Sequence, residues 1–376
     1  MRVFGVEPTA VQLDWRRLAD GRHELAVGDR EQVVQGDGGP VAVVVDGLEP
    51  GRTWPVVLDG VEVASATTLL PPAGPVLVRI ATLNDLHIGE SAIGRLPRCR
   101  SPHELSRCHS VLCVGAALEE IRAWAPDLLV LKGDLSDNDD PAEYAYLARM
   151  LEGFPAPVVM VPGNHDGGNH RHAGGPTAVL AGEGHLVIDD VGHVDLPGIR
   201  LVAANSVWPG HDRGLLIPRL PRLAEALASA PGPALLTVHH QVMRTVVPTY
   251  VPPGLLGKEA RALLSTVAEA NPATFITSGH SHRHRVQRHG SLVMTEIGSP
   301  KDHPGTWAGY TVHETGVVQM VRRISHPEAI RWTEHTGGTA LGMWRRWSPG
   351  TLDDRCFVHH WPPRPTRSGD LAGGIP

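Results

Sequence analysis

The stretch MVPGNHDGGNHRH, residues 160–172, places a polar Gly-Asn-His-Asp sequence directly after a short apolar run. The run is rich in valine, which is typical of a strand buried on both faces. Three histidines lie between residues 165 and 172, but the chain has 22 histidines among 376 residues, so one cluster indicates little. The interpretation depends on whether other apolar runs of the chain end in the same types of residue.

Four further apolar runs end in residue types that bind metals. They continue into Asp85-Leu86-His87, Gly133-Asp134, His239-His240 and Gly279-His280-Ser281-His282. Because α/β sheets bind ligands outside the carboxyl ends of their strands, five such endings predict one shared polar site. Carboxylate, imidazole and amide oxygen without thiolate suit Mn, Fe, Zn or Co, and the sequence does not choose among these ions.

The spacing of two of these endings has a simple interpretation. Residues two apart on an extended strand point to the same side. Asp85 and His87 can therefore bind one ion together, and His280 and His282 can do the same. The glycines before Asp134, Asn164 and His280 allow sharp turns and close backbone approach.

Short apolar runs alternate with helix-compatible stretches from residue 76 onward, which predicts a layered α/β domain over residues 76–325. The predicted helices cover residues 110–125, 141–152, 219–230 and 258–270. Residues 1–75 have alternating runs separated by Gly and Pro turns, which predicts a small antiparallel β domain. A strap rich in Trp and Arg is expected over residues 326–361, and a disordered tail over residues 362–376.

Composition excludes several classes of protein. No run of about 18 apolar residues is present, which argues against a membrane span. The net charge of −6 argues against a protein that binds nucleic acid through a broad basic surface. The N-terminus is a poor signal peptide, and four cysteines are too few for a disulfide framework. We therefore expect reduced thiols and a cytoplasmic location.

The motifs D-x-H, G-D, G-N-H-D, H and G-H-x-H occur in this order, and together they resemble the calcineurin-like metallophosphoesterase superfamily over roughly residues 76–325. The resemblance implies a hydrolase of phosphate esters with a four-layer α/β/β/α sandwich of two mixed sheets. The small all-β domain before it resembles a fibronectin type III domain through VDGLEPGRTW, residues 45–54.

The resemblance also implies a role for each motif residue. One divalent metal ion would be bound by Asp85, His87 and His282, with Asp134 bridging to a second ion bound by Asn164, His239 and His280. A hydroxide between the ions would attack phosphorus in line, since two ions about 3.5–4 Å apart can bind and polarise both water and phosphate. His165 would face the phosphate and assist the leaving oxygen, and Asp166 would orient His165.

The branch of the superfamily depends on Asp137. Purple acid phosphatases have an iron-binding tyrosine three residues after the bridging aspartate, where this sequence has Asp137. The motifs are most similar to those of class III cyclic-nucleotide and glycerophosphodiester phosphodiesterases. Two features depart from that class. Gln241 follows His239-His240 where a proline is usual, and residues 89–109 form a long segment between motifs.

The sequence thus predicts a dinuclear-metal phosphodiesterase with a small phosphate-ester substrate. No membrane partner is expected, nucleic acid is a disfavoured partner, and the oligomeric state is left open. A metal-dependent phosphomonoesterase of metabolites or phosphoproteins is the alternative enzyme. A metal-bound interaction scaffold is the alternative that is not an enzyme. It is disfavoured because all the expected metal-ligand positions are filled.

Overall fold

A computed structural model describes residues 1–90, 102–167, 175–245 and 251–362. Residues 363–376 of the predicted disordered tail lie outside the described residues. Residues 91–101 of the long segment 89–109 also lie outside them.

The described residues form strands and helices whose bounds are as follows. The strands are β1 (Arg2–Val6), β2 (Ala10–Trp15), β3 (Gly21–Val27), β4 (Arg30–Gly36), β5 (Val41–Asp46), β6 (Thr53–Leu58), β7 (Val61–Thr67), β8 (Val76–Leu83), β9 (Leu128–Lys132), β10 (Val158–Val161), β11 (Leu186–Val187), β12 (Val191–Leu196), β13 (Ile199–Ala204), β14 (Ala234–Thr237), β15 (Val242–Met243), β16 (Leu255–Leu256), β17 (Thr274–Ser278), β18 (Arg285–His289), β19 (Leu292–Glu296), β20 (Thr306–His313), β21 (Gly316–Arg323) and β22 (Phe357–His360). The helices are α1 (Pro102–Leu105), α2 (His109–Trp124), α3 (Pro141–Met150), α4 (Gly175–Leu180), α5 (Leu220–Ala228), α6 (Gly257–Ala270), α7 (Pro327–Thr336), α8 (Met343–Trp347) and α9 (Leu352–Arg355).

Two mixed sheets form the centre of the molecule. The first has seven strands in the order β11-β10-β9-β8-β20-β21-β22, with β8 to β11 parallel and the last three antiparallel. The second has six strands in the order β12-β13-β14-β17-β19-β18, with four parallel strands at its centre. The predicted mixed α/β architecture is confirmed.

Alternating side chains of the central strands enter different apolar layers, as the two-residue period of a strand requires. In β9, Val130 packs in the layer between the sheets together with Phe275 of β17. Leu131 of β9 instead belongs to the apolar cluster that contains Val114 of helix α2. On the far side of the second sheet, Ile276 packs with residues of α5 and α6. Both faces of each sheet are therefore covered, which explains why the central strands are apolar throughout.

The helices cover the sheets where the sequence predicts them. The four predicted stretches correspond to α2, α3, α5 and α6, so these predictions are confirmed. The start of α3 illustrates why. The Asp140 side chain accepts a hydrogen bond of 2.9 Å from the Ala142 N–H, and Pro141 occupies the first helical position. Both residue types favour a helix N-terminus.

Residues before β8 form two antiparallel sheets, β1-β2-β5 and β4-β3-β6-β7. Their buried side chains, among them Leu13 and Leu25, belong to the same apolar cluster as Leu83 of β8 and Leu118 of α2. Phe4 reaches the layer between the central sheets. The β structure of this region is confirmed, whereas its likeness to fibronectin type III and the boundary at residue 75 stay predictions.

The Trp/Arg-rich segment packs against the central sheets. Its last strand, β22, pairs with the edge of the first sheet beside β21. The guanidinium of Arg283 lies 4.4 Å from the ring centre of Trp347, and the Ser348 carbonyl accepts a 2.8 Å hydrogen bond from the His284 N–H. These contacts attach the segment directly beside the loop that carries His280 and His282.

Among the described residues, no helix has both the length and the apolar character needed to cross a membrane. Cys108 is disulfide-bonded, whereas Cys113 and Cys356 are buried free thiols. The expectation that all four cysteines are reduced is therefore wrong for Cys108.

Arg323 joins the N-terminal sheet to the rest of the molecule. It is 1% exposed, and its guanidinium donates to Asp14 of β2, Glu334 of α7 and the Pro304 carbonyl at 2.7, 2.7 and 2.9 Å. We expect Arg323→Met to lower the free energy of unfolding by about 3–5 kcal/mol in urea denaturation, because two carboxylates would lose their buried partner.

Arg331→Met is the matched control for this prediction, because Arg331 pairs with Asp37 at the surface and its side chain is 47% exposed. Its loss should cost at most about 1 kcal/mol. Equal effects of the two substitutions would contradict the structural role of Arg323.

Candidate metal centre

The five polar strand endings meet at one place. The endings of β8, β9 and β10 come from the first sheet, and those of β14 and β17 come from the second. Backbone hydrogen bonds join neighbouring endings. The Asp85 N–H donates to the Gly133 carbonyl at 3.0 Å, and the Gly279 N–H donates to the His239 carbonyl at 2.9 Å. The structure thus brings these five endings together at the carboxyl ends of the strands.

The backbone turns sharply at the positions that face this centre. Positive φ angles occur at five of them: Asp85 (54°), His87 (44°), Asp134 (49°), His280 (66°) and His282 (49°). Such angles are uncommon outside glycine, and each costs of order 1–3 kcal/mol that surrounding contacts must offset. Strained backbone of this kind clusters at functional sites.

The prediction that strand alternation aligns the side chains of D-x-H and of G-H-x-H is therefore wrong. Strand β8 ends at Leu83 and β17 ends at Ser278, before either motif begins. Left-handed turns, not strand alternation, direct the side chains inward. The outcome that Asp85, His87 and His282 come together is nevertheless observed, since their ligand atoms lie within 4.8 Å of one another.

A first group of ligand atoms surrounds His282. Its Nε2 atom lies 3.4 Å from Asp85 Oδ1 and 3.4 Å from His87 Nε2. A second group surrounds His239. Its Nε2 atom lies 3.3 Å from Asp134 Oδ2, 3.0 Å from Asn164 Oδ1 and 3.1 Å from His280 Nδ1.

Asp134 connects the two groups. Its Oδ2 atom, 3.3 Å from His239 Nε2, also lies 3.5 Å from His87 Nε2. Ligands bound to one ion at about 2.0–2.2 Å lie about 3–3.5 Å from each other. The separations in both groups, and the imidazole, carboxylate and amide donors themselves, therefore fit divalent metal ions.

Hydrogen bonds behind the imidazoles orient them. His239 Nδ1 lies 2.9 Å from the Lys132 carbonyl, so this nitrogen donates and Nε2 presents its lone pair to the centre. His282 Nδ1 lies 2.6 Å from Asp302 Oδ2, and Asp302 is itself bound by the Lys301 ammonium at 2.9 Å. Pairing of a carboxylate with a metal-binding histidine is a common arrangement.

Sequence reasoning missed Asp302. It lies in GSPKDH, residues 298–303, which follow the buried strand β19. The same signal that located the other residues, a polar group after an apolar strand, was present there. Asp137 was also missed as a site residue. Its Oδ1 atom lies 3.4 Å from His87 Nδ1 and 3.7 Å from His165 Nδ1.

His165 and Asp166 occupy different environments. The His165 side chain is 39% exposed, its Nδ1 lies 2.9 Å from the Asp137 carbonyl, and its backbone N–H donates to Asp134 Oδ1 at 2.9 Å. Asp166 is fully buried and accepts backbone hydrogen bonds from Leu135, Ser136 and Gly163 at 3.0, 2.9 and 2.8 Å. The carboxylate of Asp166 thus braces the loops that bear Asp134 and His165.

Charges in the centre shift several pKa values. Burial lowers the pKa of His282, but Asp85 and Asp302 outweigh it and raise that pKa to about 10. Burial also lowers the pKa of His239, but the charge of Asp134 outweighs this effect and raises that pKa to about 9. Burial and the neighbouring His239 lower the pKa of His280 to about 3. Metal binding at His282 and His239 would therefore release protons and strengthen as pH rises, whereas His280 is already neutral.

Comparisons with known proteins found one matching family and several similar proteins. The calcineurin-like phosphoesterase family matches residues 78–284, more than half of the chain. A probable cyclic nucleotide phosphodiesterase of Synechococcus is 27% identical over 237 residues, which cover 61% of this chain and 85% of that protein. A cAMP/cGMP dual specificity phosphodiesterase of Mycobacterium tuberculosis is 30% identical over 177 residues, 45% of this chain and 53% of that protein.

The chain thus spans most of the first relative and about half the length of the second. Among solved structures, a purple acid phosphatase from yellow lupin seeds has a TM-score of 0.48 and 13% identity. That match covers 86% of this chain and 71% of the lupin chain.

The Asp302–His282 hydrogen bond gives a prediction about metal affinity. We expect Asp302→Asn to weaken Mn²⁺ binding by about 10–100-fold in equilibrium titration, because the amide supports the His282 imidazole less well. Asp195→Asn is the control, since Asp195 pairs with Arg200 on β13 at 2.6 Å. An unchanged Mn²⁺ affinity in Asp302→Asn would contradict the supporting role of Asp302.

Proposed function

The chain belongs to the calcineurin-like phosphoesterase family, and on that premise we propose that it is a phosphodiesterase that hydrolyses small phosphate diesters with two divalent metal ions. One observation carries the dinuclear part of this proposal. A single carboxylate oxygen, Asp134 Oδ2, lies 3.5 Å from His87 Nε2 in one ligand group and 3.3 Å from His239 Nε2 in the other. This position suits a ligand shared between two ions.

The proposed ligand sets follow the two groups. Asp85, His87, His282 and the shared Asp134 would hold the first ion, and Asp134, Asn164, His239 and His280 would hold the second. When bound, the two ions supply a water of lowered pKa and positive charge for the phosphate oxygens. Mn²⁺, Fe²⁺, Zn²⁺ and Co²⁺ all accept this set of nitrogen and oxygen donors.

His165 is proposed to assist the leaving oxygen. Because a carbonyl can only accept, the 2.9 Å contact with the Asp137 carbonyl makes Nδ1 a donor and leaves Nε2 free for the substrate. Burial opposes protonation, but the charge of Asp134 and the bond to Asp137 raise the pKa of His165 above its ordinary value. The imidazole can therefore hold the proton that a departing alkoxide needs.

Asp166 is proposed to act through position and not through direct contact with substrate. Its carboxylate accepts three backbone N–H groups from the two loops that carry Asp134 and His165. Burial and the Asp134 charge raise its pKa to about 7. The Tyr144 hydroxyl also donates to it at 3.2 Å.

Two observations support a diester substrate. The relatives of Synechococcus and Mycobacterium tuberculosis are named as cyclic nucleotide phosphodiesterases. At position 137 this chain has an aspartate beside His87 and His165, where purple acid phosphatases have a tyrosine. Cyclic nucleotides are accordingly the first substrates to test after model esters.

Substrate choice can be tested directly. We expect the manganese-loaded protein to hydrolyse bis-p-nitrophenyl phosphate with a higher kcat/KM than p-nitrophenyl phosphate.

Asp134→Asn should abolish turnover and weaken binding of both ions, because the shared charge is lost. Asp353→Asn, an exposed change on α9, is the control. Preference for the monoester would reject the diester assignment, and full activity of Asp134→Asn would reject the bridging role.

A second prediction separates catalysis from metal binding. His165→Ala should lower kcat by about 10²–10⁴-fold while Mn²⁺ content stays unchanged, because general acid catalysis is lost but no ligand is. The loss should be larger for alcohols of high pKa, which need the proton most. His326→Ala, at an exposed position, is the control. Loss of Mn²⁺ from His165→Ala would identify His165 as a ligand instead.

A further inference from the structure

Glu143 is a buried carboxylate beneath the metal centre to which the mechanism above gives no role. It lies on α3 and is 3% exposed. Its Oε2 atom accepts hydrogen bonds from the Ser136 hydroxyl, from the Asp137 N–H at 3.0 Å and from the Asn138 N–H at 3.1 Å. Its Oε1 atom accepts from Asn138 Nδ2 at 3.2 Å. One carboxylate thus holds every residue of the turn 136–138.

The turn held by Glu143 closes the junction of two metal-binding loops. The His87 N–H donates to the Asp134 carbonyl at 2.8 Å, and the Asp137 N–H donates to the Ile88 carbonyl at 3.1 Å. Gly89, with φ of 105°, lies against the carboxylate, since a Cβ atom there would be 2.0 Å from Glu143 Oε1. The backbone of the D-x-H loop therefore approaches Glu143 as closely as a glycine allows.

Asp137, at the centre of the turn, contacts both a metal-group histidine and the candidate acid. Its carbonyl accepts from His165 Nδ1 at 2.9 Å, which sets the tautomer of that imidazole. Its Oδ1 atom lies 3.4 Å from His87 Nδ1. A shift of the turn would move both acceptor atoms of Asp137. The orientation of His165 would change more than that of His87, because the His165 imidazole is the more exposed of the two and packing holds it less firmly.

We propose that Glu143 is a positioning residue that fixes the orientation and tautomer of His165 through the turn 136–138. This inference rests on the proposed role of His165. If the Glu143 acceptor is lost, the Asp137 N–H keeps only its bond to the Ile88 carbonyl and the Asn138 N–H keeps only its bond to the Ser136 hydroxyl, so the turn is held less firmly and relaxes. A displacement of about 1 Å in a catalytic group can cost about 10²-fold in rate.

The test compares Glu143→Gln with Glu120→Gln. Glu120 is a matched control because its carboxylate also accepts several hydrogen bonds, from Trp307 Nε1 and from the N–H and hydroxyl of Ser325, but it lies on α2 and contacts none of the metal-binding loops in these bonds. In Glu143→Gln an amide group replaces one acceptor oxygen at nearly constant volume. We expect kcat to fall by about 10–100-fold, with KM and Mn²⁺ content unchanged. Glu120→Gln should keep the wild-type kcat even if the protein loses thermal stability.

A double-mutant cycle distinguishes positioning of His165 from a general loss of structure. In the His165→Ala background, Glu143→Gln should lower kcat by no more than about twofold, because the group it positions is already absent. An equal loss in both backgrounds, loss of Mn²⁺, or wild-type kcat in Glu143→Gln would each overturn the proposal. If Glu143→Gln does not fold, Ser136→Ala, which removes one donor to Glu143, carries the same expectation with a smaller loss of kcat.

Nitrogen-15 NMR of histidine in the zinc-loaded protein provides a readout that does not depend on turnover, since Zn²⁺ has a filled d shell. The wild type should show His165 protonated at Nδ1, assigned by comparison with His165→Ala, and Glu143→Gln should lose this signature. An unchanged signature would overturn the proposal. Failure of the wild type to hydrolyse any phosphate ester would reject the proposed function instead, while the NMR result still decides the role of Glu143.

Discussion

The carboxylate of Asp134 lies between imidazoles from two different sheets, and the rest of the centre is arranged around it. One of its oxygens is close to His87, which follows β8 of the first sheet, and to His239, which follows β14 of the second. The other oxygen accepts the His165 N–H. Burial alone would raise the pKa of Asp134, but the charges of His239 and His165 hold it well below its usual range. Any change in the packing of the two sheets would therefore change this contact.

Buried carboxylates beneath the surface of the centre stabilise a backbone that is unfavourable by itself. Left-handed residues in the metal loops cost of order 1–3 kcal/mol each, and the chain does not place glycine at them. Asp166 and Glu143 each accept several hydrogen bonds from these loops, and Asp302 pairs with His282 and with the Lys301 ammonium. These acceptors come from separate elements of the structure. The fold as a whole therefore fixes the conformation of loops whose backbone is locally strained.

The outer parts of the chain share apolar clusters and buried ion pairs with the central sheets. Apolar side chains of the N-terminal strands pack with those of β8 and α2, and Arg323 ties β2 to β21 and α7. The C-terminal segment adds an edge strand and lies beside the G-H-x-H loop through Trp347 and Ser348. Residues distant in sequence thus support the loops that carry His280 and His282.

The sequence by itself determined the alternation of strands and helices, the family, and the set of residues that meet in the centre. It could do so because apolar runs that end in Asp, Asn or His are a local pattern, readable without knowledge of the fold. It predicted the wrong reason for the convergence of Asp85 and His87, since backbone torsions such as their positive φ angles depend on contacts from other elements. Only the tertiary structure decided which carboxylates lie behind the histidines. Asp302 follows an apolar strand, as the other site residues do, but its pairing with His282 is a tertiary contact. Glu143 binds the turn 136–138 from within helix α3, and no local pattern of strand endings specifies that contact.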